Sequence, residues 1–105
     1  MALDRYSELD PAAGEVLDAE LAFGDDVLVK VFALGPGAEL AAHAHPGSTN
    51  VFHVLEGTVV VVQDDAEESV SAPGVVVHDP GAEHGARNET DERAVLTATF
   101  APPPG

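Results

Sequence analysis

The sequence contains no cysteine, and only four of its 105 residues are lysine or arginine. Without cysteine, neither a disulfide framework nor a thiolate metal site can form. Nucleic acids and anionic membrane surfaces are bound through clustered basic residues, so neither is an expected partner. The longest apolar run, residues 59–62, is much shorter than the roughly 20 residues that span a bilayer. The N-terminal residues show no apolar signal segment. We therefore expect a cytoplasmic protein that binds neither nucleic acid nor membranes.

Acidic residues dominate the charge, with 19 aspartates and glutamates and a formal net charge of −15. Apolar residues still make up 45% of the chain, which is enough for a hydrophobic core. Such a charge fits either a basic partner or a salty cytoplasm, and we favour the second because the acids are spread along the sequence and lysine is nearly absent. At molar salt the Debye length is about 3 Å, so repulsion between these carboxylates is screened.

Short apolar or alternating runs recur along the chain between turns rich in glycine, proline and aspartate. This spacing predicts an all-β sandwich or barrel of eight or nine strands. The predicted strands are residues 15–22, 27–34, 40–45, 51–56, 58–62, 69–72, 75–78, 85–88 and 94–100, with a short helix as the alternative for the first and an acidic turn at 63–68. We predict an N-terminal arm (1–14), one barrel domain (15–100) and a frayed proline-rich tail (101–105).

Histidines suggest a metal site at two places in the sequence. His43 and His45 are two residues apart, and this spacing directs both side chains to the same face of a strand. His84 follows a second strand and a Pro-Gly turn at residues 80–81. Since neutral imidazole is the commonest protein ligand for transition metals, these three histidines are candidate ligands.

Read together, the two stretches resemble the cupin superfamily. Its first motif is glycine, five residues, His-x-His, three or four residues, glutamate, six residues and glycine. Here that pattern reads Gly37, His43, His45, Asn50 and Gly57. The second motif is matched by the residues Gly74, the turn at 79–81, His84 and Asn88. The resemblance implies a double-stranded β-helix, or jelly-roll barrel, with one metal ion held by His43, His45 and His84.

Asn50 stands where the family motif has glutamate. An amide carbonyl is a weaker, neutral ligand, so a divalent ion at this site keeps its full charge. Nitrogen-rich ligation favours Fe, Ni, Cu or Zn over Mn, Mg or Ca. An uncompensated cation with open positions attracts a small organic anion such as a carboxylate or enolate. We therefore include Asn50 in the predicted metal site.

Other polar residues near the motifs receive weaker predictions. Glu39 lies too far along its strand, Glu83 is interpreted as a surface acid, and Arg87 as a surface residue. His53 should point away from Asn50, and His78 is interpreted, like His53, as an interface or surface residue. By the same two-residue period, Phe52 and Val54 share the face of Asn50 and predict an apolar wall of the pocket.

Three functions follow from this interpretation. The first is a metal-dependent enzyme acting on a small organic anion, and the resemblance implies dioxygenase, isomerase or decarboxylase chemistry, with the dioxygenase type favoured. The second is a non-catalytic module that binds a metal or a small ligand. The third is a cupin whose site has degenerated, beginning at Asn50.

Residues 58–62 are apolar on both faces, so with Val51 and Leu55 beside them they predict a homodimer contact.

Overall fold

The computed structural model describes residues 8–104, and in that range nine strands pair antiparallel into two sheets. The strands are β1 (Val16–Phe23), β2 (Leu28–Leu34), β3 (Glu39–His43), β4 (Thr49–Glu56), β5 (Thr58–Gln63), β6 (Ala66–Ser71), β7 (Gly74–His78), β8 (His84–Arg87) and β9 (Ala94–Ala101). One sheet has the order β1-β2-β9-β4-β7 and the other β3-β8-β5-β6. The predicted all-β jelly roll is confirmed, and the helix alternative for residues 15–22 is replaced by β1.

The hydrophobic core lies between the two sheets. It draws buried side chains from both, for example Phe52 and Val54 from β4, and Val59 and Val61 from β5. The two-residue period of β4 directs Asn50, Phe52 and Val54 inward and leaves His53 exposed. The prediction that Phe52 and Val54 face the interior beside Asn50 is therefore confirmed.

The hairpin between β5 and β6 is tighter than the sequence predicts. We expected an acidic turn at residues 63–68, but β6 begins at Ala66, which pairs with Gln63. Asp64 takes a left-handed φ of 50°, which lets two residues close the turn. β6 is an edge strand, and its exposed Glu67 and Glu68 therefore extend into solvent although they belong to a strand.

The apolar patch predicted around residues 58–62 is not one continuous surface. Val51 and Leu55 belong to the five-stranded sheet, whereas β5 lies inside the four-stranded sheet. The sequence could not show this because Gly57, with a φ of 76°, turns the chain from one sheet into the other. The arrangement predicted for the patch is therefore wrong, while the homodimer itself stays a prediction.

The two ends of the described chain contact the barrel. Arg93 donates hydrogen bonds to the Leu9 carbonyl at 2.7 Å and to the Glu56 carboxylate at 2.7 and 2.9 Å. The Ser48 hydroxyl donates to the Pro102 carbonyl at 2.6 Å. Residues 1–7 of the predicted arm and residue 105 of the predicted tail lie outside the described residues, so the division into arm, barrel and tail stays a prediction.

Within residues 8–104, no helix has the length and hydropathy needed to cross a membrane.

Candidate metal centre

Three histidines from two separated segments meet at one site, where His43 is exposed, His45 is half-buried and His84 is buried. His43, His45 and His84 each offer a ring nitrogen, and these nitrogens lie within 4.8 Å of one another. The ring centroids are 4.8 Å apart for His43 and His45, 4.7 Å for His43 and His84, and 5.6 Å for His45 and His84. The two stretches that the sequence identified as candidate ligand segments are therefore brought together.

Strand pairing places His43 opposite His84. The two residues are partners across β3 and β8, and the register shifts between Leu40 and His43. Gly85 makes this irregular crossing possible, because a Cβ there would lie 2.7 Å from the Leu40 carbonyl oxygen and 3.1 Å from the Cα of Ala42. The absence of a side chain at residue 85 thus allows the β3 backbone to pack directly on β8 beside the site.

His45 reaches the site from a loop rather than from a strand. We expected the metal strand to extend over residues 40–45, but β3 ends at His43. The backbone of His45 is held by its carbonyl, which accepts hydrogen bonds from the N–H groups of Ser48 and Gly81. Its ring packs edge-on against Phe100 with the centroids 5.1 Å apart. Loop hydrogen bonds and this aromatic contact therefore replace strand pairing in positioning His45.

Hydrogen bonds orient the rings of His43 and His84, and burial acts on His84 and, in part, on His45. His43 and His84 donate their Nδ1–H groups to the carbonyls of Ala41 at 2.9 Å and Ala82 at 3.1 Å, which leaves each Nε2 with a lone pair. Burial lowers the pKa of His84, and burial together with repulsion from His43 lowers the pKa of His45. Neutral imidazole is the form that binds a metal ion.

The register of both sheets places six residues at one level of the barrel, which we call the site layer. From the four-stranded sheet come His43, His84 and Gln63, which are cross-strand partners. From the five-stranded sheet come Phe100, Asn50 and His78, also cross-strand partners. Directly opposed residues in antiparallel strands share a face, so each trio forms a row directed into the same interior.

Unpartnered polar atoms mark this level of the barrel. Among residues 8–104, five buried side-chain atoms have no hydrogen-bond partner: His45 Nε2, His84 Nε2, His78 Nε2 and both amide atoms of Asn50. All belong to the site layer or to His45 beside it. Because an unpaired buried polar atom costs roughly 1–3 kcal/mol, such a cluster indicates a site built to take a ligand. The nitrogens of His45 and His84 fit a metal ion, and the role of Asn50 as a ligand stays a prediction.

Four other residues considered from the sequence lie away from the histidine cluster. Glu39, Glu83 and His53 are exposed. The Arg87 guanidinium is bound by Glu67 at 2.7 and 2.9 Å and by Glu89 at 2.6 Å, and these bonds raise its pKa. Asn88 of the second motif is structural, because its buried amide donates to the carbonyls of Leu34, Gly35 and Glu92.

His78 is the residue that sequence reasoning misplaced. It was expected at an interface or on the surface, yet its exposed fraction is 0%. Its ring stacks on His84 with centroids 4.9 Å apart and planes inclined by 19°. Burial, together with repulsion from the neighbouring His84, lowers the pKa of His78 to about 4. The run of three valines at residues 75–77 hides the strand period, since Val75 and Val77 face outward and Val76 inward.

Two cavities flank this region. One of about 380 Å³ is lined by His45, the loop residues 46–48 and the prolines 102–104. The other, of about 620 Å³, is lined by Gln63 and by neighbouring apolar and acidic side chains: Val61, Val76, Asp64, Asp65, Ala66, Glu67 and Glu68. The acidic wall of the larger cavity repels anions, so the smaller cavity beside His45 is the better approach for an anionic ligand.

Known proteins share this fold and part of this sequence. A family model described as "Cupin domain" matches residues 30–100. The protein TT1209 from Thermus thermophilus is 31% identical, with 95% of this chain and 93% of that one covered and a TM-score of 0.85. An uncharacterized conserved protein with a double-stranded β-helix domain from Klebsiella pneumoniae is 27% identical, with 100% and 91% covered and a TM-score of 0.88. A predicted oxalate decarboxylase from Thermotoga maritima, 24% identical with 84% and 81% covered and a TM-score of 0.79, shares the fold. No curated protein matches the sequence.

Proposed function

This chain belongs to the cupin family, and on that premise we propose that it binds one divalent transition metal ion and uses it to hold a small organic anion. The ligands are His43, His45 and His84, with Asn50 as a fourth, neutral ligand. The observation that carries the proposal is the convergence of three imidazole nitrogens within 4.8 Å, two of them buried and unpartnered.

The chemistry of the ligand set favours Fe, Ni, Zn or Cu over Mn. Three imidazoles and one amide provide neutral donors, and nitrogen donors suit these metals. The ligands do not offset the charge of a divalent ion, so the site attracts a carboxylate or enolate. The cavity of about 380 Å³ beside His45 is large enough for a small acid.

The reaction that we favour is of the dioxygenase type, with isomerase or decarboxylase chemistry as alternatives on the same fold. A bound transition metal supplies Lewis acidity and a template for substrate and O₂. Phe52 and Val54 make the interior beside Asn50 apolar, although neither side chain lines the two cavities. Phe52 packs edge-on against both His84 and His78, with centroids 5.7 and 4.7 Å apart, and so restrains these rings.

A non-catalytic metal-binding or ligand-binding module is the second candidate. The site layer contains two histidines from the metal cluster, a third histidine, two amides and one phenylalanine, but no carboxylate. General acid–base catalysis commonly uses a carboxylate or a histidine with a pKa near neutrality, and burial moves the pKa of His78 away from that range. This observation favours binding without turnover.

Elemental analysis after purification without chelators tests the metal site. We expect about one equivalent of metal in the wild type and less than a tenth of that in His43→Ala and His84→Ala. The control is His53→Ala, which removes an exposed histidine on β4 and should keep the metal. Equal metal content in all four proteins would exclude the site.

Oxygen uptake and product analysis with a panel of small carboxylates and enols then separate the two candidate functions. Metal-dependent turnover that is absent in His84→Ala supports the enzyme. Tight ligand binding by the metal-loaded protein without any product supports the module. A protein that folds and carries no metal would instead be a cupin with a degenerate site.

A further inference from the structure

His78 is a fully buried histidine that the metal site does not use. Its Nδ1–H donates to Gln63 Oε1 at 3.1 Å, while its Nε2 has no partner among the described residues. The histidine lies on β7 of the five-stranded sheet, and Gln63 ends β5 of the other sheet. Their hydrogen bond therefore joins the two sheets at one side of the site layer.

This hydrogen bond determines what His78 can offer a ligand. Because the amide oxygen of Gln63 is an acceptor, the proton of the neutral imidazole resides on Nδ1. The remaining nitrogen, Nε2, is then a hydrogen-bond acceptor. Stacking on His84 and edge contact with Phe52 hold the ring in this orientation. His78 thus presents a fixed lone pair inside the barrel.

His78 is not a member of the histidine cluster. The group whose nitrogens all lie within 4.8 Å of one another comprises His43, His45 and His84 alone among the described residues. His78 packs against the face of one member, His84, rather than converging with the three. His78 is therefore next to the cluster without being one of its members.

Asn50 supplies the complementary donor. It is the cross-strand partner of His78, so the two side chains emerge on the same face, with Cβ atoms about 5 Å apart. Both amide atoms of Asn50 are buried without a partner. With the amide oxygen directed to the metal, its Nδ2 hydrogens remain available beside the lone pair of His78. A donor next to an acceptor matches a hydroxyl group, which accepts from the first and donates to the second.

We propose that His78, oriented by Gln63, is a substrate-binding residue that accepts a hydrogen bond from the hydroxyl of a small hydroxy acid bound at the three-histidine site. The inference rests on the proposed function, because the metal ion holds the carboxylate of that ligand. Asn50 Nδ2 donates to the same hydroxyl oxygen. The substrate class is therefore a short carboxylic acid that carries a hydroxyl or enol group.

The test compares two acids that differ only in the hydroxyl group, lactate and propionate. Zn²⁺ is loaded because it has no redox chemistry, and its stoichiometry is measured first. Isothermal titration then gives the ratio of the two dissociation constants for each variant. We expect His78→Phe, which keeps an aromatic ring against His84, to bind Zn²⁺ normally and to lose the preference for lactate by about tenfold. The matched control, His53→Phe on the exposed face of β4, should keep the wild-type ratio.

Two results would overturn the inference while leaving the metal site intact. The first is a ratio of the propionate and lactate dissociation constants in His78→Phe that lies within twofold of the wild-type ratio. This result would mean that the preference for lactate comes from chelation by the metal alone. The second is Zn²⁺-loaded wild type that binds neither acid. If His78→Phe does not fold, Gln63→Leu decides: a preference lowered at least threefold supports the inference, and an unchanged preference overturns it. A wild type that fails to bind Zn²⁺ would overturn the proposed function and the inference together.

Discussion

Replacing Gly85 with alanine should disrupt the candidate metal site without touching any ligand. The added Cβ would lie 2.7 Å from the carbonyl oxygen of Leu40 and 3.1 Å from the backbone nitrogen of Ala42. Both contacts are to the β3 backbone, which no side-chain rotation can move away. β3 must therefore shift relative to β8, and His43 at the end of β3 shifts relative to His84.

The size of this shift follows from the contact distances. Ordinary van der Waals contact begins at 3.4 Å, so the Leu40 oxygen and the new Cβ must separate by about 0.7 Å. Metal–nitrogen distances tolerate deviations of only about 0.2 Å. We expect metal affinity to fall by about 10- to 100-fold, the range seen when groups that position ligands are lost. The free energy of unfolding of the metal-free protein should also fall, by about 1–3 kcal/mol.

Competition with a chromogenic chelator measures the affinity, and urea unfolding measures the stability. The matched control is Gly47→Ala, two residues after His45, where an added Cβ would meet nothing within 4 Å and φ is not positive. The control should bind metal like the wild type. A Gly85→Ala protein with the affinity of the Gly47→Ala control would refute the view that backbone contact between β3 and β8 sets the distance between His43 and His84.

Four further outcomes are expected. Burial lowers the pKa of His78 from 6.5 to about 4, so as the pH falls the unfolded chain takes up a proton at this histidine before the folded protein does. The contribution of neutral His78 to the free energy of unfolding is therefore complete above pH 6.5 and is lost as the pH falls towards 4. In urea unfolding of the metal-free protein we expect a loss of about 3 kcal/mol. His78→Phe should lack this part of the pH dependence, and an identical profile would contradict it. Leu34→Ala removes a side chain of 0% exposure and should cost about 3 kcal/mol in the same assay, whereas Phe23→Ala, at 68% exposure, should cost under about 1 kcal/mol. With a net charge of −15, the melting temperature should rise between 0.1 and 2 M KCl, and no rise would remove the salt-adapted interpretation. Sedimentation in 2 M KCl should show a homodimer, and a monomer would rule it out.

Five strands, β2, β4, β5, β7 and β9, were predictable from the sequence because they are short and contain several β-branched residues. β2 and β9 differ from their predicted ranges by one residue at one end. The errors in the predicted strand ranges occur where hydrogen-bonded pairing with a neighbouring strand, rather than amino-acid composition, determines where a strand begins. β6 begins among exposed acids because it pairs residue by residue with β5, and its first three residues, 66–68, give no strand signal, whereas the predicted strand at 69–72 overlaps its end.

The candidate site was predictable where spacing carries the information. His43 and His45 are two residues apart, and His84 follows a turn of recognisable composition. The sequence could not show that His45 reaches the site from a loop, since its position depends on hydrogen bonds from Ser48 and Gly81. Nor could it show the burial of His78, because neighbouring valines fit either face of a strand and leave its side unspecified.

The site layer also has a consequence for how this protein can change. Every second residue of β4 points inward, so Asn50 lies at the site layer, while Phe52 and Val54 lie at the next two inward levels, which we call rungs. The side chains of these two apolar rungs pack in the core between the sheets. Exchanges at residues 50 and 63 therefore leave Phe52 and Val54 in place, whereas an exchange at residue 78 has to keep a ring against Phe52. A barrel divided in this way can acquire a new specificity while its scaffold persists.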